Sequence, residues 1–107
     1  MKTEDELRRT VRDLCARYSI DIASFCNELC MDWPELIELA ADPMVTIGSH
    51  TVNHKILTKV PDEAAVRAEM EMSRAVMAAA LGKRPNHLSY PVGDATSAGS
   101  REFRIAA

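Results

Sequence analysis

Apolar residues recur at spacings of three and four through most of the first forty positions and again after residue 61, so the chain reads as helices separated by two short apolar runs. From Glu4 to Tyr18, the positions Leu7, Val11, Leu14, Cys15 and Tyr18 predict an amphipathic helix facing a core. Ser19-Ile20-Asp21 breaks it. Ile22, Phe25, Cys26, Leu29 and Cys30 then mark a second helix, closed by Met31. Asp32-Trp33-Pro34-Glu35 is a helix start: an acidic cap, a proline whose missing N–H costs nothing in the first turn, and a glutamate three residues after the cap. Leu36, Ile37, Leu39 and Ala40 supply its stripe, and Pro43 ends it near Ala41-Asp42.

Met44-Val45-Thr46-Ile47 reads as a short buried strand that stops at Gly48, where the backbone turns sharply. Ile56 and Leu57 are expected to pack inward. Pro61 opens the longest helix, which runs to about Leu81, with Val60 a poor cap before it and Gly82 the cap after it. Ala65, Ala68, Met72, Ala75, Val76 and Ala79 are the expected apolar face, and Glu63, Arg67 and Glu71 are spaced for helical ion pairs. His87-Leu88-Ser89-Tyr90 is a second strand candidate, Pro91 to Asp94 a turn, and Ala95 to Gly99 a loop. A last helix starts about Ser100 with Phe103 and Ile105 partly buried, and it breaks off at Ala107 in mid-pattern, which suggests a piece of a larger protein. The pattern is that of a helix-rich α/β chain.

Composition narrows the classes. With 107 residues, 47% of them hydrophobic, the chain suits one domain with a modest core. A net charge of −3 argues against nucleic acid as partner, because such binding rests on Lys and Arg displacing counterions. The Arg8, Arg9, Arg12 and Arg17 run is interspersed with Glu4, Glu6 and Asp13, as on a solvated helix face. No apolar run approaches the ~20 residues of a membrane span, and the acidic start is unlike a secretory signal. Cys15, Cys26 and Cys30 are odd in number, which favours reduced thiols over a disulfide scaffold.

Two of the three histidines fall in Gly48-Ser49-His50-Thr51-Val52-Asn53-His54. His-x-x-x-His aims two imidazoles at one point if the intervening residues make a helical turn, and neutral imidazole is the commonest side-chain ligand for zinc. Alternatively, Cys26, Cys30, His50 and His54 imitate a small structural zinc module, although the central spacer is long for one. A third reading is a helical interaction domain in which both histidines are idle polar residues. His87 reads as a surface or strand-end residue.

The segment Ile47 to His54 resembles the second motif of the polysaccharide deacetylase family, G-x-H-[ST]-x-x-H, found in chitin, peptidoglycan and nodulation-factor deacetylases. Ile56-Leu57-Thr58-Lys59-Val60-Pro61 and the helix ending at Leu81-Gly82 continue the likeness. Leu88-Ser89-Tyr90-Pro91-Val92-Gly93-Asp94 is similar to the third motif, Arg-x-Pro-Tyr-Gly, about forty residues on. The likeness divides the chain into a helical lead-in or insertion, 1–43, and a partial deacetylase catalytic domain, 44–107.

The resemblance implies a fragment of a distorted (β/α) barrel with short parallel strands, and a hydrolase that removes N-acetyl groups from an N-acetylglucosamine-containing polymer with a divalent metal, most often zinc. It makes His50 and His54 metal ligands with Thr51 positioning their loop, Tyr90 and Pro91 substrate contacts, and the Val92 N–H an oxyanion donor. It also exposes departures. The family's third ligand and its base are aspartates of a Thr-Phe-Asp-Asp-Gly motif, and this sequence has no Asp-Asp pair; Ser89 stands at the arginine position and Val92 at the tyrosine position. The expectation is therefore a piece that is inactive alone, binds zinc weakly and self-associates through strand edges or helix faces.

Overall fold

Thr3 opens the first helix as a capping box, its hydroxyl accepting from the Glu6 N–H while the Glu6 carboxylate accepts from the Thr3 N–H at 2.7 Å. In the computed structural model, which describes residues 3–107, five α-helices follow in order: α1 (Glu4–Arg17), α2 (Ile22–Leu29), α3 (Trp33–Ala40), α4 (Glu63–Leu81) and α5 (Ser100–Ala106). A 3₁₀ turn, Leu57–Lys59, precedes α4. Contacts divide the chain into two compact units, the first ending at Leu36 and the second running Ile37–Ala107.

In the first unit the helices form where periodicity and caps place them. Asp21 caps α2 by accepting from the Ala23 N–H at 3.0 Å, and Asp32 and Glu35 close the expected capping box, each backbone N–H donating to the other's carboxylate at 2.9 Å. The core-facing expectation for α1 is corrected. None of α1, α2 or α3 has a buried residue, and Leu7, Val11 and Leu14 of the α1 stripe stay exposed. Periodicity tells which face of a helix is apolar; whether anything covers that face depends on mass that three short helices do not have.

The second unit is built around Leu57, Val66 and Met70, with Val60, Leu88, Tyr90 and Ile105 packed on them. Here the strand expectation is overturned. No strand forms among the described residues, and the two apolar runs meet at one parallel bridge, Ser49 to Leu88, made by Ser49 N–H to His87 O at 2.7 Å and Ser89 N–H to Ser49 O at 3.0 Å. The (β/α) barrel fragment with parallel strands is therefore not what this chain adopts. A parallel ladder is stable when helices cover both its faces. Here Met44 is 90% exposed, Thr51 turns the backbone away at φ 65°, and Pro91 cannot donate to a ladder. At Gly48 there is little room beside the second run, since a Cβ there would lie 3.3 Å from the His87 carbonyl oxygen.

α4 is capped by Asp62, one residue after the Pro61 expected to open it, with the Asp62 carboxylate accepting from the Ala64 N–H at 3.0 Å, and at its other end by Gly82 in the left-handed region, φ 65°. Its ion pairs form as expected, Arg67 to Glu63 at 3.9 Å and to Glu71 at 3.7 Å. Its buried face differs from the alanine-rich stripe: Val66, Glu69, Met70 and Ser73 point inward, while Met72 and Val76 are exposed. Polar partners chose this face. Ser73 Oγ meets Ser49 Oγ at 2.7 Å, and Arg74 donates to the Pro85 carbonyl at 2.8 Å.

α5 is joined to the same core by charge. Glu102, 2% exposed, accepts from the Gly99 N–H at 2.9 Å and from Arg101 Nε at 2.6 Å, and Arg101 reaches the Leu57 carbonyl at 2.8 Å. Burial pushes the Glu102 carboxyl up, but the Arg101 and Gly99 hydrogen bonds and the Arg101 charge outweigh it and hold the group below the ordinary 4.5.

Candidate functional site

The Ser49–Leu88 bridge carries the segment after it, residues 50 to 54, alongside Ser89. The His50 Nδ1 lies 3.0 Å from the Ser89 carbonyl oxygen and 2.7 Å from Ser89 Oγ. The carbonyl oxygen only accepts, so it takes the proton from Nδ1 in the tautomer that carries one there, whereas the hydroxyl can give a proton as well as take one. The His54 ring stands edge-on to it, with centroids 4.9 Å apart and planes at 69°. Two imidazoles on one tetrahedral zinc would hold their centroids roughly 5 Å apart. His50 and His54 are both exposed.

The turn between them is braced from below. The Glu69 carboxylate, 7% exposed, accepts from the Val52 N–H at 3.1 Å and the Asn53 N–H at 2.8 Å through one oxygen, and from the Asn53 side-chain amide at 2.7 Å through the other. Burial raises the Glu69 pKa, but the hydrogen bonds from Asn53 and Val52, with the Lys55 charge, bring it below the ordinary 4.5. The bracing holds a strained backbone, for Thr51 (φ 65°) and His54 (φ 53°) both sit in the left-handed region. Thr51, expected to position this loop, has its hydroxyl oxygen buried without a hydrogen-bond partner.

The structure thus brings His50, His54 and Ser89 together. Tyr90 is half-buried and packs on Phe103 with centroids 5.6 Å apart; burial and the Glu102 charge raise its hydroxyl pKa. Pro91 is buried, while Val92 is 58% exposed at φ 70°. A β-branched residue there stores about 1–3 kcal/mol of strain, more than the about 0.5–1 kcal/mol that glycine's extra freedom costs. Val92→Gly is therefore expected to stabilise the chain by about 1 kcal/mol in urea unfolding, whereas a lower midpoint would show that the Val92 side chain makes contacts that outweigh the strain.

Glu69 and Ser89 are the residues that sequence reasoning passed over in these roles. The signal for Glu69 was a glutamate inside the stripe Val66, Glu69, Met70, Ser73, at helical spacings of three and four. Ser89 carried none, because its carbonyl acts as much as its side chain.

As ligands, the two imidazoles fit two positions of a metal site in one respect: their separation suits a shared ion. Among the described residues no three or more His, Cys, Asp or Glu side chains gather into a metal cage. Two clefts, of about 250 Å³ beside Val45, Ile47 and Leu81 and about 350 Å³ beside Met70, Arg74 and Ile105, lie in the second unit, and neither is lined by His50 or His54. No helix among the described residues is long and apolar enough to cross a membrane.

Bridge, loop and brace together define a helix-rich chain that presents a paired-imidazole loop. The sequence model of the polysaccharide deacetylase family matches residues 4–103 of the 107, and the chain belongs to that family. The match spans the helices before residue 44 as well as the segments 47–54 and 88–94. No curated protein and no solved structure matches the chain.

Proposed function

We propose that this chain contributes to metal-dependent hydrolysis of N-acetyl groups on an N-acetylglucosamine-containing polymer, with His50 and His54 as two of the metal's ligands. Family membership supports hydrolysis of an amide bond on a carbohydrate. The observation that carries the ligand assignment is the approach of the two rings, centroids 4.9 Å apart and edge-on, with the His50 Nδ1 turned to Ser89. A divalent metal at such a site lowers the pKa of its water and polarises the acetyl carbonyl. The chain's own residues hold the two imidazoles in register and, through the exposed Val92, offer a backbone N–H towards a developing oxyanion. The half-buried Tyr90 and the buried Pro91 shape that segment.

With no Asp-Asp pair in its sequence, the chain by itself supplies neither the family's aspartate ligand nor its base, so weak zinc binding and no turnover of an acetylated chitin oligomer are expected. Calorimetric zinc titration is the test. His50→Ala is expected to remove the binding and Cys26→Ala to leave it unchanged. Binding that survives His50→Ala, or that is lost in Cys26→Ala, would sink the ligand assignment.

A further inference from the structure

Building on the proposed metal-ligand role of His50 and His54, we infer that Glu69 is a positioning residue: its carboxylate sets the turn between the two histidines and so decides whether both imidazoles can reach one ion. The turn is a strained one. Its residues are mostly exposed, Thr51 and His54 sit at positive φ, and the Thr51 hydroxyl has no hydrogen-bond partner. A conformation of this kind persists when its surroundings over-determine it. Glu69 supplies that determination, because one buried carboxylate takes three donors, the two consecutive backbone N–H groups of Val52 and Asn53 and the Asn53 side-chain amide, at 2.7–3.1 Å. Those N–H groups belong to the two residues immediately before His54, so the anchor fixes where that imidazole leaves the backbone. His50 is fixed separately by Ser89, which means the pair is registered from two sides, one by α4 and one by the 88–92 segment.

The chemistry requires an acceptor at both oxygens. In Glu69→Gln one oxygen becomes an NH₂ facing a donor of the turn, so at least one hydrogen bond turns repulsive while volume and helix propensity barely change. Glu69→Asp keeps both acceptors but withdraws them by one methylene. Neither change touches a metal ligand.

The experiment measures, on the whole chain, amide exchange of Val52 and Asn53 without metal, and zinc affinity by calorimetry, for wild type, Glu69→Gln, Glu69→Asp and His50→Ala. In Glu69→Gln the Val52 and Asn53 amides are expected to exchange at least about tenfold faster while Met70 and Ser73 in α4 keep their protection, and zinc affinity is expected to fall about 10–100-fold, the usual cost of losing outer-shell support. Partial recovery of both in Glu69→Asp would strengthen the assignment. Unchanged exchange at Val52 and Asn53 overturns the Glu69 role whatever zinc does. Lost protection with unchanged zinc affinity overturns its link to the ligands. A wild type that binds zinc no better than His50→Ala overturns the metal reading alone, and faster exchange in Glu69→Gln would then still mark Glu69 as the holder of this turn.

Discussion

Leu57→Ala is expected to cost about 2–5 kcal/mol, because the cavity left by a fully enclosed leucine adds to the lost transfer energy. The second unit has little to absorb it. Leu57 and Val66 are completely enclosed and Met70 is 6% exposed, and Val60, Leu88, Tyr90 and Ile105 pack on this small cluster. At roughly 4–8 °C per kcal/mol for a domain of this size, the melting temperature should fall by about 8–40 °C. Met72→Ala on α4 is the control. Met72 is 57% exposed, and its replacement should stay within about 0.5 kcal/mol. Equal losses for the two, read by helical circular dichroism on heating, would mean that the core is not where the fold puts it.

Glu102→Ala is expected to cost about 2–4 kcal/mol. Removing one member of a fully buried pair costs about 3–5 kcal/mol, and the figure here is discounted because the Arg101 side chain is 27% exposed and can recover some hydration. What is lost is more than a charge pair: the Gly99 N–H at the start of α5 loses its acceptor, and Arg101 loses the carboxylate that steadies it against the Leu57 carbonyl. The same group gives a pH dependence whose sign follows from its lowered pKa. Below the ordinary 4.5 the unfolded chain binds this proton more readily than the folded one, so the stabilisation is complete above that value and is lost as pH falls through the lower folded value. Urea unfolding between pH 7 and pH 3 should therefore show an acid loss that is smaller in Glu102→Gln, with the part owed to Glu69 remaining. An acid arm unchanged by that substitution would remove Glu102 as a source.

Local signals marked the helices well. The capping box at Asp32, the turn at Gly82 and the start of α5 at Ser100 each rest on interactions within four residues of one another, and such interactions are written in the order of the chain. The two histidines do come together, but not through the helical turn expected between them, since Thr51 and His54 sit at positive φ. Where sequence reasoning went astray, the deciding partner was distant. The apolar runs at 44–47 and 87–90 have the composition of strands, yet a strand exists only if a neighbour runs beside it for several residues, and here they share one bridge.

The face of α4 shows the same division. Alanine and methionine spacing marked one stripe as apolar, but the inward face went to Val66, Glu69, Met70 and Ser73 because the turn at 52–53 and Ser49 supplied hydrogen bonds that a buried carboxylate and hydroxyl require. Short-range order, meaning caps, the Gly82 turn and ion pairs one helical turn apart, was determined by the sequence alone, because its energy comes from residues close along the chain. The absence of a strand ladder among the described residues, the buried face of α4 and the brace beneath the histidines were decided by tertiary structure, because burial and polar satisfaction depend on segments 16 to 39 residues apart meeting in space.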